Sequence, residues 1–183
     1  YAPNLVLTRG EGCRVWDADG REYLDGTAGL WFANVGHGRA EIADAVSRQL
    51  RTLAAHHVFG DHANEPALAL AERLVELVPV PDAAVFFGTG GGDAIDTAAK
   101  IARRYWMLVG QPQRTVVVSR RFAYHGPNAY GTSLSGIPAV RDGFGTLVGD
   151  VVEVAHDDAS ELVRTLDELG DRVAAFVGEP MIG

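Results

Sequence analysis

Four of the five residues Gly88, Thr89, Gly90, Gly91 and Gly92 are glycines, and they lie between an apolar run at 83–87 and a helical pattern over 93–109. A strand entering such a turn and a helix leaving it make an anion site. Glycine lets backbone N–H groups come close to a ligand, and the first N–H groups of a helix lack intrahelical partners and carry its positive end. Phosphate is the usual occupant, although the same turn also serves as a plain strand-to-helix connection. Two familiar phosphate loops do not fit. A P-loop closes with Lys and Ser or Thr, whereas Gly92 is followed by Asp93 and Ala94. A dinucleotide fingerprint starting at Gly88 needs glycine where Asp93 stands. It also needs a ribose-binding acid at the end of the next strand, where the sequence reads Ser119, Arg120, Arg121. That pattern disfavours a dinucleotide-dependent oxidoreductase.

Other residues could also do chemistry. Glu179 follows the apolar stretch 172–177, at the end of a strand, where α/β sheets collect ligands; a solvated carboxylate is the alternative. Trp31 and Phe32 fall in a glycine-flanked irregular segment, where large rings either line a pocket or pack into the core. His56, His57 and His62 share one loop, but no carboxylate or cysteine completes a ligand spacing, and no metal is expected. Asp96 and Lys100, four apart on a helix, suit a surface pair. Asp157 and Asp158 read as a solvated turn.

The elements that must hold these residues follow from periodicity and turn chemistry. Asp19 and Gly20 between short apolar runs signal a hairpin. Ile42, Val46, Leu50 and Leu53 form one stripe of a helix over 39–53. Asn64 is a good N-cap with Pro66 in the first turn of the next helix, which Pro79 and Pro81 end. Strands are expected at 83–87, 115–119, 151–154 and 172–177, with a loop around Tyr124 to Pro127. A further helix is capped by Ser160 and stopped by Gly170. Strands alternating with helices from 83 to 178 predict an α/β fold with a mostly parallel sheet.

Composition narrows the function classes. The chain has 183 residues, 47% hydrophobic and 22% charged, with a formal net charge of −8. Such a chain can bury a core. Its acidity argues against nucleic acid and against an anionic membrane surface. No apolar run approaches the ~18 residues that span a bilayer, and the first residues show no signal-peptide pattern. A single cysteine, Cys13, fits a reducing compartment and a cytoplasmic location. The start at Tyr1 and the stop at Gly183, just after an apolar stretch, suggest a piece of something longer.

The segment from Gly88 through Asp93, Ala94, Ile95, Asp96, Thr97 and Ala98 to Trp106 resembles the phosphate-loop segment of class III aminotransferases. In that family the loop usually runs Ser-Gly-Ser-Glu-Ala, one variable residue, then Asp-Thr-Ala. Three more stretches fall in the family's order: 15–38, the Phe122 to Gly126 segment, and 177–183. Ala28, Gly29, Leu30, Trp31 and Phe32 are most similar to the ω-amino acid:pyruvate and amine transaminase branch. The resemblance implies fold type I, a three-layer α/β/α sheet domain. In it, residues 1–60 are the small-domain segment with an active-site loop, and 61–183 are the first part of the large cofactor-binding domain.

The resemblance also implies pyridoxal 5′-phosphate as cofactor, with amino transfer from an amine or ω-amino acid to a keto acid such as pyruvate. An aminomutase or an ornithine-type enzyme is possible within the same family, and a non-catalytic scaffold is the rival outside it. Gly90, Gly91 and Gly92 would hold the phosphate, Tyr124 would stack on the pyridine ring with His125 beside it, and Glu179 would lie near the site. Leu30, Trp31 and Phe59 would line the substrate pocket, and the family's shared active sites imply a homodimer or homotetramer.

Three departures stand out. Gly90 and Gly92 replace two serines, so hydroxyl contacts to phosphate are lost. Asp93 is one methylene shorter than the usual Glu. The Schiff-base lysine and the aspartate at the pyridine nitrogen are expected beyond Gly183, because the chain's single lysine, Lys100, lies mid-helix, roughly 10 Å past the loop. The 183 residues alone are therefore expected to be inactive.

Overall fold

The computed structural model describes residues 5–182. Tyr1 and Gly183, which bound the first and last segments read in the sequence, lie outside them. Contacts divide the chain into two units between Ala84 and Val85.

The first unit opens with an antiparallel meander of β1 (Leu7–Glu11), β2 (Arg14–Asp17) and β3 (Glu22–Leu24). The hairpin turn at Asp19 and Gly20 forms as expected, with Gly20 at a φ of 80°. Asp17 secures it by accepting the Asp19 and Arg21 amides at 2.9 Å and the Tyr23 hydroxyl at 2.7 Å. That Tyr23 hydrogen bond, first among its surroundings, holds the Asp17 carboxyl below its usual range. A single turn, α1 (Ala28–Trp31), precedes α2 (Ala40–Thr52) and α3 (Glu65–Leu77). Asn64 caps α3 by accepting the Ala67 amide at 3.0 Å, and Pro66 sits in the first turn. The stripe Ile42, Val46 and Leu50 on α2, continued by Leu53 at its C-cap, stays about half exposed.

The second unit is a parallel sheet in the order β5-β4-β6, with β4 (Val116–Arg120) central between β5 (Val151–Val154) and β6 (Val173–Phe176). A central parallel strand is covered on both faces, which is why β4 opens on three successive valines; Val116, Val117 and Val118 are buried. Val116 and Val118 pack with Val154 against Leu162, Leu166 and Leu169 of α6 (Ala159–Leu169). The pleat turns Val117 to the opposite face; α5 (Ala129–Leu134) packs against β4 and β5, and α4 (Gly91–Leu108) against β6 and α5. Arg103 and Trp106 tie α4 down, donating to the carbonyls of Thr115 (2.7 Å) and Ala174 (2.8 Å).

Three details differ from the sequence reading. The run 83–87 is not a strand: Phe86 is 70% exposed, and apolar residues become a strand only where a neighbour supplies ladder hydrogen bonds. Asp158, not Ser160, caps α6. Its carboxylate accepts the Ser160 amide at 2.8 Å, and that bond with the Ser160 hydroxyl lowers its pKa. The loop after Tyr124 contains the unforeseen helix α5.

Candidate active site

The glycine turn heads α4, with Gly90 as its N-cap and Gly91 and Gly92 in its first turn. A Cβ added at Gly90 or Gly91 would meet nothing within 4 Å, so this part of the turn faces open space. Gly92 is different, because a Cβ there would stand 3.2 Å from Pro127 and 3.3 Å from Asn128. A serine at position 90 would fit; at position 92 the neighbours would have to give. Asp93 reaches back to accept the Thr89 amide at 3.0 Å, so it braces the turn from within the helix. The free N–H groups of a helix start and this open backbone fit a phosphate group.

Tyr124 and His125 lie on the loop leaving β4, and Glu179 lies just past β6. Both are carboxyl ends of parallel strands, and there the residues meet. Glu179 Oε1 accepts the Tyr124 amide at 2.8 Å, and Arg120 donates to the Glu179 carbonyl. The glycine turn reaches the same place, since a Cβ on Gly126, at a φ of 95°, would lie 2.8 Å from Gly92 Cα. The structure therefore brings Gly90, Gly91, Gly92, Tyr124, His125 and Glu179 into one neighbourhood. The Tyr124 ring is half exposed and borders an open cleft of 510 Å³ that Pro127, Ala129, Phe144 and Val148 also line.

His125 is only 6% exposed, and its Nε2 is enclosed without a hydrogen-bond partner among the described residues. Burial is the main influence and pushes its imidazole below the usual range, opposed by the Glu179 carboxylate. The sign of the resulting pH dependence is fixed. Above pH ~6.5 the imidazole is neutral in both the folded and unfolded chain; as pH falls through that value the unfolded chain takes up the proton first. Stability therefore drops until the depressed folded value is reached. His125→Gln should flatten this limb, which denaturation midpoints at pH 7.5 and 5.5 will show.

Asp96 does not pair with Lys100 as the helical spacing suggested. Its Oδ1 accepts the Tyr130 and Gly131 amides at 3.0 and 3.1 Å. Two aligned backbone donors at the start of α5 hold a carboxylate better than an exposed, mobile ammonium does. Sequence reasoning also missed Asp93 as the brace on Thr89, since nothing in its spacing separates that role from a solvated helix start. Lys100 itself is exposed in the middle of α4.

Leu30, Trp31 and Phe59 belong to the first unit. Trp31 is 78% and Phe59 83% exposed, so core packing is not their role within it. Leu30 and Trp31 lie on α1, whose residues Ala28, Gly29, Leu30 and Trp31 all have φ between 51° and 76°. This is a left-handed turn, and each non-glycine residue in it costs roughly 1–2 kcal/mol. Asp25 holds the turn. It accepts the Thr27 and Gly29 amides at 3.2 and 2.7 Å and faces His37 Nε2 at 2.8 Å. The His37 contact is the largest influence that keeps its carboxyl below the usual range.

The imidazoles of His56, His57 and His62 come together, each with a nitrogen within 4.8 Å of the others. His56 Nε2 and His62 Nδ1 are hydrogen-bonded to each other at 3.0 Å, and His57 Nδ1 accepts the Phe59 amide at 3.3 Å. Among the described residues no carboxylate backs any of the three rings with a hydrogen bond, the usual support of a histidine ligand. Through His57 the cluster also holds the loop that carries Phe59.

Known proteins match over nearly the whole of this chain. Residues 1–183 fit the family model described as aminotransferase class-III. Diaminobutyrate–2-oxoglutarate transaminase of Halomonas elongata is 35% identical, covering 100% of this chain and 43% of the relative. Putrescine–pyruvate aminotransferase of Pseudomonas aeruginosa is 35% identical over 97% of this chain and 43% of its own. A crystal structure of a thermostable (S)-enantioselective ω-transaminase from Thermomicrobium roseum superposes with a TM-score of 0.93. It is 42% identical over 98% of this chain and 44% of the other. The chain thus spans less than half the length of these relatives.

Proposed function

The chain belongs to the class-III aminotransferases, and from that premise we propose that it forms part of a pyridoxal 5′-phosphate-dependent enzyme moving an amino group from an amine or ω-amino acid to a keto acid such as pyruvate. The observation that carries this reading is the meeting of the open glycine turn, the half-exposed Tyr124 ring and the Glu179 carboxylate at the carboxyl ends of β4 and β6. When bound, pyridoxal phosphate supplies an electron sink for the substrate carbon. Gly90, Gly91 and Gly92 would grip its phosphate through backbone N–H groups, and Tyr124 would cover one face of its ring. His125, kept neutral by burial, would stand beside the ring as a rigid wall. Glu179 fixes the backbone under Tyr124.

Leu30, Trp31 and Phe59 are proposed to line the substrate pocket; their exposure on held backbone supports this. Relatives that use pyruvate support the acceptor. Residues 1–60 would go with the small domain and 61–183 with the cofactor-binding one. Two copies are proposed to share the active sites, in the cytoplasm. Among the described residues no helix is long and apolar enough to cross a membrane. The lysine that carries the cofactor is proposed to lie outside these residues, because Lys100 projects from mid-α4; the 183 residues alone would then be inactive.

The test is reduction of the full-length protein with borohydride after addition of pyridoxal phosphate. A new visible absorbance band and a cofactor mass on a lysine other than Lys100 are expected. No band and no trapped mass would end the reading, and a mass on Lys100 would reverse the lysine assignment.

A further inference from the structure

The left-handed turn Ala28–Trp31 is a conformation that its three non-glycine residues resist, so something outside the turn must impose it. The path of that constraint can be followed atom by atom. The turn closes through Trp31 N to Thr27 O at 3.0 Å and Ala33 N to Ala28 O at 2.7 Å. Its entry is gripped by the Asp25 carboxylate. One oxygen takes the Thr27 amide and hydroxyl, and the other takes the Gly29 amide. That second oxygen also faces His37 Nε2, and the Asp25 side chain is only 9% exposed.

His37 is itself fixed to the meander. Its amide donates to Gly12 O at 2.8 Å, and its carbonyl accepts the Gly12 amide at 3.0 Å. Its ring sits close against Gly10, where a Cβ would come within 2.7 Å of Cγ. The rings that this support presents, Trp31 above all, point away from any core. A strained backbone, over-determined by a sheet and displaying exposed apolar groups, is how a binding surface is held in shape.

We propose that Asp25, oriented by His37, is a positioning residue that sets substrate selectivity by holding Leu30 and Trp31 in the left-handed turn. The inference rests on the pocket role given to those two residues above, and it adds the device that shapes them. Asp25 touches neither substrate nor cofactor in this account. Its effect is on which amines fit, not on the chemistry.

The experiment uses the full-length enzyme with Asp25→Ala, Asp25→Asn, His37→Gln and Asn34→Ala as a control outside the network. Two readouts are taken together. The first is hydrogen exchange at the Thr27 and Gly29 amides, which reports the latch whatever the enzyme's activity. Exchange should quicken about tenfold in Asp25→Ala, less in Asp25→Asn, which keeps an acceptor, and little in His37→Gln, whose amide still donates. The second is kcat/KM for a small and a bulky amine. Asp25→Ala should change their ratio at least fivefold through KM, with kcat within twofold, and His37→Gln should stay near the parent. Unchanged exchange in Asp25→Ala overturns the latch. Faster exchange with an unchanged ratio, or equal losses for both amines with lowered melting, overturns the role in selectivity. A parent enzyme that trapped no cofactor would fail the functional reading instead, and the exchange arm would still judge the latch.

Discussion

Alanine in place of Gly131 is expected to lower the protein's stability by about 2–3 kcal/mol, the upper part of the range for forcing extra atoms into packed structure. A Cβ there would lie 2.4 Å from the His125 carbonyl oxygen and 2.7 Å from that of Gly126. Both are backbone atoms and cannot turn aside as a flexible side chain would. Helix α5 would have to withdraw, although it is buried at Gly131, Ser133 and Leu134. Its retreat would pull the Tyr130 and Gly131 amides from Asp96. Gly149→Ala is the control, since a Cβ there meets nothing within 4 Å and should shift stability by less than about 0.5 kcal/mol. Denaturant midpoints and slopes measure both. A Gly131→Ala protein as stable as its parent would show that α5 does not rest on the 125–126 backbone.

The second large effect falls on the proposed cofactor. Tyr124→Ala should weaken pyridoxal phosphate binding to the full-length protein about tenfold, because an aromatic stack contributes roughly 0.5–1.5 kcal/mol. Stability should change little, since the ring is half exposed and the bond to Glu179 comes from the backbone amide, which alanine keeps. Tyr124→Phe should bind close to the parent, separating the ring face from the hydroxyl. Equilibrium titration of the apoenzyme, followed by absorbance, gives the affinities. Equal affinity in parent and Tyr124→Ala would remove this ring from the cofactor's surroundings.

Much of the arrangement was legible in the sequence where local chemistry decides the outcome. Asp19 and Gly20 turn a hairpin because glycine accepts positive φ. Asn64 caps α3 because its side chain mimics a backbone acceptor. The valines of β4 are buried because parallel strands are covered twice. The glycine turn was equally plain, as was its place between an apolar run and a helix. Reading failed where a distant partner decides. Whether 83–87 forms a strand depends on a neighbouring strand, not on its own valine and phenylalanines. Asp96 looked like half of a surface pair because helical spacing shows which residues share a face, not that a second helix start lies opposite. The left-handed turn at Ala28–Trp31 left no local signal, for only one of its residues is glycine; its cause is Asp25 and, behind it, His37.

The contacts of Asp96 have a mechanical consequence. Through it, the helix that begins at the glycine turn is joined to α5, and Gly126 rests directly on Gly92. The glycine turn and the loop bearing Tyr124 are therefore one preorganised piece rather than two jaws that must close. A ligand arriving there has little backbone to immobilise, and little of its binding free energy is lost to ordering the receptor. Capture should then proceed at a rate set by encounter instead of by loop rearrangement.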